Sequence, residues 1–227
     1  MTDRQLRDEV MTMLLAGHET TSLALSWTFF LLSQHPAVER RLADEADHVV
    51  GDRRAAFADA DRLTYTRMVL DETMRLYPPA WGFSRLAIAD DRIGGYKVPA
   101  GSIVFLIPYV VHRRPTWWPD PERFNPDRFA PEAAAERPRF AYFPFGGGPR
   151  HCIGYQFALL EAQLILATVT RRYRIQLAPG QQISAEPLIT LRPTARHSRD
   201  CCRARSNQIT RLRVIVSTHH DPGDAFH

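Results

Sequence analysis

Cysteine is scarce: the 227-residue chain has three, Cys152, Cys201 and Cys202. An odd, sparse set in a chain of this length excludes the disulfide framework of a small secreted protein. Cys201 and Cys202 are neighbours and poorly placed to bridge, and no pair has zinc-ligand spacing. Long apolar runs are also missing. The most apolar stretch, Met11–Leu32, is interrupted by Gly17, His18, Glu19 and two threonines, so it falls short of the ~18 apolar residues that read as a membrane span. The N-terminus lacks the form of a signal peptide. A soluble, cytoplasmic protein without a transmembrane anchor is the expectation. There is no Gly-x-Gly-x-x-Gly opening a helix, no phosphate-binding loop and no His-Glu-x-x-His. No fused flavin or ferredoxin segment is visible.

The net charge is +4, but it is local. Residues 192–227 hold seven arginines against three acidic residues, while residues 1–191 carry 22 of each sign. The basic balance therefore describes the tail, not the body, and says little about the body's partners. The tail lacks aromatic interleaving and a recognisable fold, so no specific nucleic-acid partner is expected of it. With 44% hydrophobic and 24% charged residues, the chain is long enough to bury a core unaided.

Thr2-Asp3-Arg4-Gln5 reads as a capping box and predicts a helix from about Asp3 to about Ser33, with Leu6, Val10, Met13, Leu14, Leu25 and Leu32 among its apolar positions. His35-Pro36 ends it, and Pro36 opens a second helix to about Val50, capped by Gly51. A third helix fits Leu63–Leu76, before Pro78-Pro79. Strands are expected at Ser84–Ala89 and Ser102–Ile107, with turn signals between them at Asp90-Asp91, Gly94-Gly95 and Pro99-Ala100-Gly101. Residues 113–150 show no sustained period, and a long irregular stretch of that kind is often functional. Helix resumes at Ile153–Arg172. Short strands are expected at Tyr173–Leu177 and Leu188–Leu191, with a further one possible in sequence terms at Ile209–Val216. The fold class is mainly α with small antiparallel β elements.

Three constellations could carry chemistry. Phe145-Gly146-Gly147-Gly148-Pro149-Arg150-His151-Cys152-Ile153-Gly154 ends where the last long helix begins. A cysteine there meets unpaired amides and the positive end of the helix dipole, both of which favour thiolate. The glycines let backbone approach a flat or bulky group, and Arg150 can reach an anion beside it. Taken alone, the cysteine could equally be a small buried hydrophobe, and the glycine turn a general anion cradle. In Ala16-Gly17-His18-Glu19-Thr20-Thr21, the series Ala16, Thr20, Ala24 presents small side chains on one face of the first helix. Either a flat cofactor or a close helix partner would suit that face. Glu72 and Arg75 stand at i, i+3 in the third helix, and Met68, Glu72 and Leu76 place the glutamate among apolar neighbours, which points to a buried pair.

The decapeptide matches the pattern F-x-x-G-x-R-x-C-x-G at every fixed position, and here the sequence resembles the cytochrome P450 family of heme-thiolate monooxygenases. The resemblance implies that Cys152 is the proximal iron ligand of heme b (iron protoporphyrin IX) and that Arg150 pairs with a propionate. It places Phe145, Gly146 and Gly154 in the cofactor loop and Ala16 and Gly17 on the helix lying over it. Arg85, after Trp81-Gly82-Phe83-Ser84, stands where the family often holds a propionate, and Pro79–Phe83 where it lines its substrate pocket. The stretch 16–21 resembles the oxygen-activation motif, which implies that Glu19 and Thr20 manage protons. Residues 121–129 read in the family's order P-x-x-F-x-P-E-R-F, so Arg128 rather than Arg123 joins Glu72 and Arg75 in a structural triad. The implied activity inserts one atom of O2 into an apolar small-molecule substrate, with electrons from a ferredoxin- or flavoprotein-type donor.

The resemblance runs from Thr2 to about Pro193 and covers roughly the C-terminal half of the family's domain, a partial cytochrome P450 fold. From Thr194 to Arg203 the sequence does not align, so 194–227 is set apart as an arginine-rich tail, read as solvated or disordered. Two alternatives stay open at this level: a non-catalytic fragment without stable heme, and a basic-tail interaction module.

Overall fold

The computed structural model describes residues 1–178, 180–197 and 214–218. Helix α1 spans Asp3–Gln34 and α2 Pro36–Val50. The Thr2–Gln5 capping box forms, with the Gln5 amide donating to Thr2 Oγ1 and the Thr2 amide to Gln5 Oε1. Gly51, at φ +58°, closes α2 by donating to Asp47. α3, Thr64–Leu76, starts one residue later than expected. Its N-terminus is capped from a distance: the Glu45 carboxylate of α2 accepts from the Tyr65 and Thr66 amides at 2.6 and 2.8 Å. A carboxylate at that end also suits the helix dipole.

A turn of 3₁₀ helix at Phe57–Arg62 joins α2 to α3. There Asp59, 2% exposed, accepts two hydrogen bonds from Arg53, one of them at 2.6 Å, and one from the Ala56 amide. The Arg53 hydrogen bonds, reinforced by the Ala56 amide, hold the Asp59 carboxyl down at about 2, below its usual 3.8. A lowered folded-state pKa contributes stability that is complete above the unfolded value and is lost as pH falls through the folded one. Asp59→Asn is therefore expected to lower thermal stability at pH 7, and the gap between variant and parent to close between about pH 4 and pH 2.

Strand β1 (Phe83–Leu86) pairs antiparallel with β4 (Ile103–Leu106), and β2 (Asp91–Ile93) with β3 (Tyr96–Val98). The Gly94-Gly95 turn of the second hairpin has both residues at positive φ, which glycine adopts without strain. β1 and β4 are shorter than the sequence suggests; beyond them the pairing continues as single bonds between Ala87, Gly101 and Ser102. A short helix, α4 (Pro108–Val111), precedes the irregular segment, which α5 (Pro131–Ala135) and single 3₁₀ turns punctuate. α6 covers Tyr155–Thr170, two residues shorter than expected at each end.

The C-terminal β structure corrects the sequence reading. Leu188–Thr190 are not a strand but the turn of a hairpin joining β6 (Gln181–Pro187) to β7 (Leu191–His197), in register from Pro187↔Leu191 to Gln181↔His197. Leu188 and Ile189 stand 49% and 95% exposed at its tip. β7 reaches past Pro193 into the supposed tail. Pro193 is tolerated because a two-stranded ribbon has a free edge. β5 (Tyr173–Leu177) pairs with β8 (Val214–Thr218), which takes up residues 214–216 of the strand expected at 209–216 and runs on to Thr218. Residues 198–213 and 219–227 lie outside the described residues.

The two halves of α1 fare differently. From Thr21 onward it is packed: Trp27 stacks on Tyr77 at 4.0 Å and donates to the Leu191 carbonyl, tying α1, α3 and β7 together. The core around it includes Leu31, Leu32, Leu42, Val69 and Leu76. Each fully buried aliphatic of that kind contributes ~1.5–3 kcal/mol. From Asp3 to His18 every residue is exposed. Leu6, Val10, Met13 and Leu14, apolar positions of the sequence pattern, stand 49–62% exposed.

Candidate functional site

The segment before α6 folds as a tight glycine turn. Gly146 (φ +74°) and Gly148 (φ +66°) occupy the left-handed region, which side chains disfavour. Gly147 is extended, and a Cβ there would come within 2.6 Å of the Phe140 ring. The Gly146 amide donates to Phe143, and the Cys152 amide to Phe145, both at 3.0 Å. These bonds fold the chain back, leaving Cys152 exposed two residues before the Gly154 cap of α6. No side chain caps that helix, so its first amides face the loop. Phe145 and Tyr155 anchor the turn against Ala24, Met74 and Leu159, from α1, α3 and α6.

Arg150 is exposed and in no ion pair among the described residues. Arg85, on β1, lies 5.1 Å over the Phe83 ring, and among the described residues its guanidinium donates only to the Ser84 carbonyl. That same ring sits 3.8 Å from the Cβ position of Gly146. The structure thus brings Arg85 beside the glycine turn by way of Phe83.

On α1, the Ala16–Thr20–Ala24 series splits in two. Ala24 is packed, as a close helix contact requires, but Ala16 is exposed and Gly17 has nothing within 4 Å of its Cβ position. Helix packing accounts for one end of that face only. The Thr20 hydroxyl donates back to the Ala16 carbonyl at 2.7 Å. Glu19 accepts from Thr190 at 2.7 Å and from Arg192 Nε at 3.0 Å. The Thr190 bond, with Arg192, holds its carboxyl below the usual range. Sequence reasoning missed Thr190 and Arg192, because no local pattern joins residues so far apart along the chain.

Glu72, Arg75 and Arg128 also come together. Arg75 and Glu72 are both fully buried and doubly bonded, at 2.7 and 2.9 Å. Arg75 further donates to the carbonyls of His112, Pro121 and Arg123, and Glu72 accepts from the Asn125 amide. Arg128 Nε is 3.5 Å from Glu72, whereas Arg123 supplies only its carbonyl. Burial pushes the Glu72 carboxyl up, against the pull of Arg75.

A metal at Cys152 would need ligands from elsewhere, because among the described residues no three His, Cys, Asp or Glu side chains cluster. An exposed sulfur on a glycine turn, two arginines without carboxylate partners among the described residues and an open patch of helix fit a flat, anionic macrocycle that brings its own donors. Ile153 and Phe157, 87% and 70% exposed, add apolar surface at the same turn. Among the described residues no helix is long and apolar enough to cross a membrane.

Comparison with known proteins agrees with this geometry. The family model for cytochrome P450 matches residues 1–196. The chain is 46% identical over 191 residues to cyclooctatin synthase of Streptomyces melanosporofaciens, covering 84% of this chain and 42% of that protein. It is 43% identical over 178 residues to cyclooctat-9-en-7-ol 5-monooxygenase of the same organism, covering 78% and 39%. The crystal structure of a cytochrome P450DA heme domain superposes with a TM-score of 0.81 at 34% identity, covering 88% of this chain and 46% of that one. The chain thus spans less than half the length of these relatives. By the family match, the helices that carry it and the cysteine turn at its centre, this chain belongs to the cytochrome P450 family.

Proposed function

We propose that the chain carries the heme-thiolate centre of a monooxygenase. Cys152 would hold the heme iron through its sulfur, and the Arg150 and Arg85 guanidinium groups would hold the propionates. Ala16 and Gly17 leave room for the macrocycle against α1. Bound heme would supply reductive activation of O2, in which two electrons and two protons release one oxygen atom as water while the other enters the substrate.

The protein's own part is positioning and proton supply. The Thr20 hydroxyl sits one turn from Gly17, on the open end of the helix face, where it can hand on a proton. Glu19 stands beside it as the carboxylate that replenishes protons, after release from Thr190 and Arg192. Trp81, Phe83, Leu188 and Ile189 offer an apolar organic substrate its contacts. Trp81 donates to the Leu188 carbonyl, which ties it to the tip of the β6–β7 hairpin. Electrons come from a separate ferredoxin- or flavoprotein-type donor.

The observation that carries this reading is the exposed Cys152 sulfur on a turn held by its own amide. Titrating the purified chain with heme tests it. Saturation at one heme per chain, with a red-shifted, thiolate-type ferrous–CO band, is expected. No uptake, or an imidazole-type band, would overturn the reading.

A further inference from the structure

His112 is fully buried, and beyond the carbonyl it offers Arg75 its ring has no part in the site described above. Its ring packs on Tyr142 and Phe143, with centroids 5.1 and 5.3 Å away. Its Nε2 accepts a hydrogen bond from the Phe143 amide at 2.9 Å. Because that nitrogen is an acceptor, the ring proton must sit on Nδ1. Nδ1 lies against the backbone of Met74 and Arg75 without a well-aligned bond. The other end of the residue is engaged too: the His112 carbonyl accepts from Arg75 Nη1 at 3.0 Å.

We propose that His112 is the positioning residue of the cysteine turn, coupling the buried Glu72–Arg75 pair to the chain that presents Cys152. The path is continuous in hydrogen bonds. Arg75 fixes the His112 main chain, and the His112 ring fixes the Phe143 amide. The Phe143 carbonyl accepts from Gly146, and the Phe145 carbonyl accepts from Cys152. Burial, with Arg75 alongside, lowers the imidazole to about 3, so the accepting lone pair is free at neutral pH. A merely space-filling ring would leave the Phe143 N–H without a partner, a cost folded chains avoid. The functional meaning rests on Cys152 being the iron ligand; the positioning itself does not.

Amide hydrogen exchange on the full chain without heme tests the positioning directly. His112→Leu keeps apolar volume and removes the acceptor. Exchange at Phe143, Gly146 and Cys152 is expected to quicken roughly tenfold, while amides in the middle of α2 and α3 keep their protection. His112→Gln, whose Oε1 can accept near the Nε2 position, is expected to restore protection to within about threefold. Unchanged exchange at Phe143 in the leucine variant would overturn the proposal. So would equal loss at every amide in both variants, the mark of a core-filling role. If the leucine variant fails to fold, His112→Asn against His112→Gln decides: the shorter amide falls short of Phe143, so only glutamine should protect the turn, and equal behaviour of the two overturns the proposal. In the heme-loaded chain, the same loosening is expected to convert part of the thiolate-type ferrous–CO band to the detached form. Protection that follows the acceptor in a chain whose parent gives no thiolate band would keep the positioning and discard the iron reading.

Discussion

Replacing Glu72 with alanine is expected to destabilise the fold by about 3–5 kcal/mol. The Glu72 and Arg75 side chains are both fully buried, and among the described residues the carboxylate is the only negative charge within bonding distance of Arg75. Without it, a guanidinium remains in the interior with neutral carbonyls alone. Those carbonyls, from His112, Pro121 and Arg123, soften the loss and place the expectation toward the lower end of the range. The Asn125 amide loses its acceptor as well. The damage should extend along the irregular segment, because the same arginine grips Pro121 and Arg123 within it and His112 just before it. Glu72→Gln keeps an acceptor for Asn125 and should cost less than alanine. Urea unfolding midpoints at constant slope measure both variants. A loss below ~1 kcal/mol for alanine, as for an exposed ion pair, would contradict the buried-pair account.

Cys152→Ser is expected to remove the thiolate-type ferrous–CO band entirely and to leave thermal stability within ~0.5 kcal/mol of the parent. The two halves of this prediction have separate causes. A serine hydroxyl does not ionise near neutral pH and cannot replace a thiolate donor. Cys152 is exposed and belongs to none of the core clusters, so the fold does not depend on its sulfur. The main-chain bond from residue 152 to Phe145 is indifferent to the side chain. An unchanged band in the serine variant would remove Cys152 from the site. Loss of the band together with unfolding would point to a packing role in place of ligation.

The long helices were legible because their signals are local. The Thr2–Gln5 box, Pro36 and Gly51 fix three helix ends within a few residues of the chain itself. The glycine turn was legible for the same reason: a dense run of residue types that only a special backbone needs. What the sequence hid is long-range. Glu45 caps α3 from another helix, Thr190 and Arg192 reach back to Glu19, and His112 bonds a main-chain amide 31 residues away. None of these pairs has a spacing to read. The β6–β7 hairpin was misplaced because its apolar residues Leu188 and Ile189 form the tip, where apolar run and strand part company. The exposed half of α1 shows the converse. An apolar arc predicts that a face wants covering, but not what covers it.

The central claim is that the sulfur of Cys152 binds iron, and iron-edge X-ray absorption on the heme-loaded chain tests it most directly. One sulfur scatterer beside the four porphyrin nitrogens is expected in the parent and none in Cys152→Ser. A parent spectrum without sulfur, or a sulfur signal that survives the substitution, would contradict it.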